Sequence, residues 1–397
     1  MDLSLSDDER RFAQEARSWL ATVLAEEGLP GTFRDLDAEI EWGRRWQAKL
    51  AEARWVGISW PARYGGRDAT PVQVALFNME YARSGAPQPV NRVGINLAGP
   101  TLLAHGTDSQ RTRWLSSILD ASEIWCQLFS EPDAGSDLAS LRTLAERDGD
   151  GWRVSGQKVW TSYAQHARWG ICLARTDPDA PRHSGISFLV VDMSAPGIEI
   201  RPLRQITGEA EFNEVFLDEV FVPVDALIGE LHGGWAVAGT TLAHERGTSF
   251  PFKEQVVHEV FLEAIAGLVG DRFVEHAERD ADELDGLDDR LASAYVALQV
   301  LRLHNWRTLS RLGRGVEPGP ESSWVKLAWT DMTQQLSALG RDACGSASPL
   351  WQGAEGLPGD GQWQRQWLWS LAASIAGGTS EIQRTIIGER LLGLPRG

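Results

Sequence analysis

The sequence predicts an α+β chain in three successive parts: helices over residues 1–122, strands over 123–231, and helices again over 232–397. Two changes in apolar spacing carry that prediction. Apolar side chains recur with helical spacing to about residue 122, alternate with period two to about 231, then return to helical spacing. A chain of 397 residues is also too long for one small core, so two or three domains are expected.

Each part has its own start and stop signals. Ser6-Asp7-Asp8-Glu9 has the form of a capping box, and Phe12, Ala16, Trp19, Leu20 and Val23 follow on one helical face. Trp60-Pro61-Ala62-Arg63-Tyr64-Gly65-Gly66 reads as a loop. Thr70-Pro71-Val72-Gln73 starts another helix with proline in its first turn. Asp108 is expected to cap a helix running to Leu119. In the second part, 124–129, 152–154, 170–175, 185–191 and 215–222 read as strands, and Asp148-Gly149-Asp150-Gly151 as a hairpin turn. A mostly antiparallel β domain follows from them. In the third part Gly233-Gly234-Trp235 opens a long helix through Arg246, and helices are expected over 252–279, 290–312 and 324–339. Glu317-Pro318-Gly319-Pro320 is a break, 345–362 an irregular loop, and Ser380-Glu381-Ile382-Gln383 a further capping box.

Composition narrows the function. The net charge is −17, from 38 basic and 55 acidic residues, which disfavours nucleic acid as a partner while leaving room for a small anion held by local Arg and Lys. Cys126, Cys172 and Cys344 lack metal-ligand spacing and leave an odd thiol, the pattern of a reduced cytoplasmic protein. The opening Met1-Asp2-Leu3-Ser4 leads into acids, so no signal peptide is expected, and no apolar run is long enough to span a bilayer. The eight histidines are scattered without a metal motif, and His244, beside Glu245, reads as a packing or surface residue. Eighteen tryptophans suggest a large-residue core and subunit contacts.

Three segments carry chemistry. In Phe129-Ser130-Glu131-Pro132-Asp133-Ala134-Gly135-Ser136-Asp137 a strand breaks at Pro132 into a loop. There Gly135 permits unusual backbone angles and Ser136 offers a hydroxyl to a phosphate. Gly156-Gln157-Lys158-Val159-Trp160-Thr161-Ser162 is a short strand with one indole beside two hydroxyls. The third segment is Gly377-Gly378-Thr379-Ser380-Glu381-Ile382-Gln383-Arg384. For Trp160 alone a place in the core is the simpler reading, for the serines a turn, and for Ser380 a plain helix cap.

Taken together, in this order and spacing, the three segments resemble the acyl-CoA dehydrogenase family across essentially the whole chain. The resemblance implies an N-terminal helical domain, a middle antiparallel β-barrel domain and a C-terminal four-helix bundle. It implies an FAD-dependent oxidation of an acyl-CoA (or acyl-carrier) thioester to the α,β-enoyl thioester, with electrons passing to an electron-accepting flavoprotein or another acceptor. That chemistry needs a base for a weakly acidic α-proton, donors for an enolate-like oxygen, and a hydride acceptor that no side chain supplies. By resemblance, Phe129, Ser130, Gly135, Ser136, Trp160, Ser162, Thr379 and Glu381 contact FAD.

Two departures from the family pattern matter. Many members carry the catalytic glutamate where this chain has Gly377; others place it on the first long helix of the C-terminal domain, where Glu245 stands in Leu242-Ala243-His244-Glu245-Arg246. The resemblance therefore implies Glu245 as the base and the backbone N–H of Gly377, with a flavin ribityl hydroxyl, as oxygen donors. The alternative for Glu245 is a solvated helix residue. This combination is similar to the branch acting on bulky acyl groups, including steroid side chains. The family's Arg-x-x-Phe-Gly segment is replaced by Glu278-Arg279-Asp280-Ala281-Asp282-Glu283-Leu284, which puts a clamp on a neighbouring FAD in question, with Arg279 the only substitute. A homo-oligomer is expected, with Trp363, Trp367 and Trp369 as its contact surface, and a mixed oligomer as the alternative. Two other functions fit the same fold: a flavin monooxygenase or desulfinase-like enzyme, and an FAD-binding non-catalytic subunit.

Overall fold

The computed structural model describes residues 4–30, 33–245, 249–275, 286–316 and 319–395. In chain order its helices are α1 (Asp7–Glu27), α2 (Leu36–Glu52), α3 (Pro71–Arg83), α4 (Gly99–His105), α5 (Asp108–Leu119), α6 (Gly234–Glu245), α7 (Ser249–Glu275), α8 (Leu287–Leu312), α9 (Ser322–Ala343), α10 (Gln362–Ser370) and α11 (Ser380–Ile386). Between α5 and α6 lie β1 (Trp125–Leu128), β2 (Leu144–Asp148), β3 (Gly151–Ser162), β4 (Trp169–Arg175), β5 (Ile186–Asp192), β6 (Ile198–Leu203), β7 (Phe212–Pro223) and β8 (Leu227–Ile228). These elements form two compact units, one of Met1–Gly28, Thr70–Ala86 and Arg246–Gly397, the other of Leu29–Ala69 and Pro87–Glu245.

The second unit is built on one eight-stranded sheet, in the order β6-β7-β3-β2-β4-β5-β8 with β1 beside β4. Most pairings are antiparallel, as expected; β1 with β4 and β2 with β4 are parallel. β4 and β5 are buried along nearly their whole length, which is why they read as continuous apolar runs. The Asp148-Gly149-Asp150-Gly151 turn joins β2 to β3 as predicted. Three strands were not predicted. β2 is polar and partly exposed and β8 has two residues, so neither presents the apolar alternation that betrays a strand; β6 alternates at Ile198-Glu199-Ile200-Arg201, but only over this short stretch and without a buried residue. Trp125 of β1 and Trp169 of β4 pack with Trp114 of α5, which is edge-on to both, at centroid distances of 5.8–6.3 Å.

The first unit is helical. Its larger core gathers Ile265 of α7, Leu298 of α8, Leu336 of α9 and Trp363 of α10. A second cluster joins Ala75 and Met79 of α3 to Phe252, Val256 and Leu309. The capping box at Ser6 forms as read, and the helix start read at Thr70 proves to be one too, each side chain accepting from the backbone three residues on. Two caps are corrected: Thr107, not Asp108, caps α5, and Thr379, not Ser380, caps α11. In both cases a threonine hydroxyl one residue earlier accepts from the N–H three residues on, that of Gln110 or Ile382. Region 345–362 is irregular apart from short 3₁₀ turns.

The tryptophan tail expected as contact surface is only partly outward: Trp367 and Trp369 are half-buried. Trp363 is core, 5.7 Å from Phe261, and Trp367 is covered by the Arg341 guanidinium at 4.1 Å. Exposed apolar surface lies instead on α8, at Val296, Val300 and Leu303.

Candidate active site

In the sheet unit, the loop after β1 is held from inside. Phe129 is buried edge-on to Phe188 at 5.8 Å, and the half-buried Ser130 accepts at its carbonyl from the Val159 N–H at 2.9 Å. Glu131 and Ala134 exchange two backbone hydrogen bonds, which turns the chain at Pro132-Asp133. Gly135 departs from expectation: it has no left-handed φ, and a side chain there would meet nothing within 4 Å. Glycine freedom is thus not required by the loop itself. Ser136 is exposed.

Beneath this loop lies a buried charge pair that sequence reading passed over. Lys158 Nζ is fully buried and donates to Glu131 Oε1 at 2.8 Å, to the Leu173 carbonyl at 2.8 Å and to the Phe129 carbonyl at 3.2 Å. Glu131 also accepts from the Arg142 N–H (2.6 Å), the Thr143 N–H (2.9 Å) and the Thr143 hydroxyl (2.6 Å). Burial pushes the Glu131 pKa up, but Lys158 and these donors outweigh it and hold the carboxyl below its ordinary value. The signal was available: a lysine between Gln157 and Val159 inside a strand, with a glutamate at the end of the preceding one.

The strands read separately at 152–154 and 156–162 are one, β3, which runs to Ser162 because it pairs with β7 along its length. Its register slips between Lys158 and Thr161, and this bulge carries Trp160 at φ +61°. A bulky residue in the left-handed region is strained. Here the strain turns the indole out of the sheet: Trp160 is 63% exposed, edge-on to Phe212 at 6.3 Å. Thr161 Oγ1 beside it is buried without a hydrogen-bond partner. An outward aromatic face, an unpaired buried hydroxyl and the half-buried Ser162 suit a flat ring with a polar edge.

α6 leads to Glu245 and is tied to α4 by Thr241 to Thr101 and Thr240 to His105, both at 2.8 Å. His244 is on the exposed surface of α6. Glu245 is the last residue of the helix; its side chain lies outside the described residues, as does Arg279.

In the helical unit, Gly377 (φ +66°) and Gly378 (φ +90°) make successive left-handed steps that another residue would adopt only with strain. The buried Gln383 reaches back from α11, its Nε2 donating to the Gly377 carbonyl at 3.2 Å and the Gly378 carbonyl at 3.3 Å. Thr379 Oγ1 accepts from the Ile382 N–H at 3.3 Å. Glu381 is exposed, and its own N–H and the Thr379 hydroxyl hold its carboxyl below the ordinary value. Among the described residues no cluster of His, Cys, Asp and Glu could hold a metal, and the three cysteines are buried thiols outside any disulfide.

Comparison with known proteins assigns the class. The acyl-CoA dehydrogenase N-terminal, middle and C-terminal domain models match residues 6–122, 126–220 and 232–392. The chain therefore belongs to the acyl-CoA dehydrogenase family and is an oxidoreductase acting on CH–CH groups. It is 42% identical to the acyl-CoA dehydrogenase IpdE1 of Mycobacterium tuberculosis over 98% of both chains. Among solved structures, the ChsE4-ChsE5 complex of Mycobacterium tuberculosis matches with a TM-score of 0.81 at 31% identity, covering 100% of both chains. The Tcur3481-Tcur3483 steroid ACAD matches with a TM-score of 0.83 at 27% identity, again over 100% of both. No helix among the described residues is long and apolar enough to cross a membrane.

Proposed function

We propose that this chain is an FAD-dependent dehydrogenase of bulky acyl-CoA thioesters of the steroid side-chain class, with Glu245 as its base. The observation that carries the FAD assignment is Trp160, an indole turned outward at a backbone cost on a bulge whose neighbouring hydroxyl is unpaired. In this reading Trp160 covers one face of the ring, Ser162 bonds its edge, and Phe129, Ser130, Gly135 and Ser136 line the cofactor's approach. Thr379 and Glu381 serve it from the C-terminal segment. When bound, FAD supplies the hydride acceptor that side chains lack. Glu245 takes the α-proton, and the Gly377 N–H donates to the thioester oxygen, a role that needs no side chain. The bulky substrate is supported by the likeness to a steroid ACAD. The division at 122 and 231 is kept as the domain plan.

The assignment is tested by anaerobic reduction of the bound flavin with a panel of acyl-CoAs. A colourless protein that binds no added FAD, or a yellow one that no acyl-CoA bleaches, overturns it. Glu245→Gln is expected to keep FAD and ligand binding while slowing flavin reduction by about 10²–10⁴-fold. Reduction at the wild-type rate transfers the base to another residue or chain.

The same reading includes assembly with a second chain of this fold, identical or related, through the α8 stripe of Val296, Val300 and Leu303. Two relatives are described in paired form. A monomer by light scattering at micromolar concentration, both alone and co-expressed with a related chain, contradicts it.

A further inference from the structure

We infer that Gln383 is a positioning residue for the reacting turn: its side-chain amide, acting through the Gly377 and Gly378 carbonyls, aims the backbone donors of that turn. The inference rests on the proposed role of the Gly377 N–H. Two anchors hold the segment that contains it. Upstream, Lys326 Nζ (2.7 Å) and Thr330 Oγ1 (3.0 Å), both from α9, donate to the Ala373 carbonyl. The Ile375 and Ala376 N–H groups both close on the Ala372 carbonyl at 2.9 Å. Downstream, Gln383 Nε2 holds the next two carbonyls, at 3.2 and 3.3 Å. Gly377 lies between the anchors in the chain.

Peptide geometry turns that clamp into direction. A trans peptide is planar, with C=O and N–H opposed. Carbonyls of Gly377 and Gly378 drawn toward Gln383 therefore send the N–H groups of Gly378 and Thr379 away from it. The Gly377 N–H is on the plane before these; with Ala376 N–H held upstream by the Ala372 carbonyl and the Gly377 carbonyl held downstream by Gln383, that plane is fixed from both sides. Two left-handed glycines have little steric preference of their own, so without the clamp the turn samples many orientations. The amide is also costly where it sits: Gln383 is fully buried and its Oε1 has no hydrogen-bond partner. A methionine would fill similar volume without an orphan acceptor. What the amide adds is the donor, and the donor is spent entirely on this turn.

The test uses the FAD-loaded enzyme and two variants. Gln383→Met removes the donor at similar volume. Gln383→Glu removes it when ionised and restores one O–H donor when protonated. For Gln383→Met, kcat for flavin reduction by an acyl-CoA is expected to fall about 10²-fold, the scale of a small misplacement of reacting groups, with KM, FAD content and melting near wild type. Amide exchange at Gly378 and Thr379 should accelerate. For Gln383→Glu, the ratio of its rate to the wild-type rate should rise as pH falls. Wild-type kcat and unchanged exchange in Gln383→Met overturn the inference. So does a loss of kcat that only tracks loss of FAD and melting temperature in both variants. If the wild-type flavin is not reduced by any acyl-CoA, the functional reading fails separately. Amide exchange then decides the positioning alone: acceleration supports it and no change overturns it.

Discussion

Lys158 and Glu131 fix the loop after β1 with a charge pair sealed inside the sheet unit, whereas Gln383 fixes the Gly377–Gly378 turn of the helical unit with a neutral amide. The first region has ordinary backbone and a strained tip at Trp160; the second has two left-handed residues and no charge in its clamp. The difference matches what the proposed function asks of each region. A loop that must stay shaped around a cofactor tolerates a strong, locally neutralised pair beneath it. A turn that donates to a developing negative oxygen is better served by neutral dipoles already in place, because they cost no reorganisation as charge appears.

Breaking the charge-held region should have the largest effect. Lys158→Met leaves the Glu131 carboxylate buried without its cation, and loss of one partner of a buried pair costs about 3–5 kcal/mol. Urea unfolding measures it, and adding Glu131→Gln should recover part of the loss. A loss under about 1 kcal/mol means that Arg142 and Thr143 hold the carboxylate unaided. The pH dependence sharpens this. The wild-type Glu131 pKa is depressed, so its stabilisation is present above the unfolded value and lost as pH falls through the folded one. In Lys158→Met the burial that pushes the pKa up is no longer offset by the ammonium. The sign reverses, and acidification through the carboxylate range should narrow the gap to wild type.

Breaking the neutral region should cost less stability. Gly378→Ala forces an L side chain into φ +90°, at about 1–2 kcal/mol, and its Cβ would stand 2.7 Å from Gln383 Nε2. The clamp must yield, so flavin reduction should suffer more than unfolding free energy does. Equal losses in both measurements would mean that the turn is only structural.

The same contrast explains what was legible beforehand. The helix–strand–helix order, the caps at Ser6 and Thr70 and the hairpin at Gly149 are local signals, and each appears in the structure. β8 owes its pairing to the distant β5, whereas β6 pairs with its neighbour in sequence, β7, and is short and largely exposed. Lys158 was visible as a charge inside a strand, but its partner lies 27 residues away across the fold. Gly377 and Gly378 announced a turn, while the role of Gln383 as its clamp depends on reach that spacing alone does not give. Trp363 illustrates the opposite failure: one residue of an aromatic run read as contact surface is core, because α10 packs against α7 and α9, while Trp367 and Trp369 stay half-buried.

The smallest expected effect separates strain from stacking at Trp160. Trp160→Ala and Trp160→Gly both remove the indole, and aromatic contacts of this kind contribute about 0.5–1.5 kcal/mol. Both variants should therefore bind FAD more weakly by a similar factor, up to about tenfold. They differ in backbone. Alanine keeps an L side chain at φ +61°, where about 1–2 kcal/mol of strain remains, while glycine occupies that region freely. Glycine also loses more conformational entropy on folding, by about 0.5–1 kcal/mol, so the apo-protein should favour glycine over alanine only slightly. Flavin affinity is read by fluorescence titration and apo stability by urea unfolding. If the variants match each other in affinity but glycine is the more stable, the left-handed bulge is a strain held in order to present the indole. If alanine is the more stable, the bulge is relaxed by its pairing with β7 and Trp160 is exposed without backbone cost. If neither variant loses affinity, the outward indole does not cover the flavin, and the flavin contacts proposed on β3 must be rebuilt around Thr161 and Ser162.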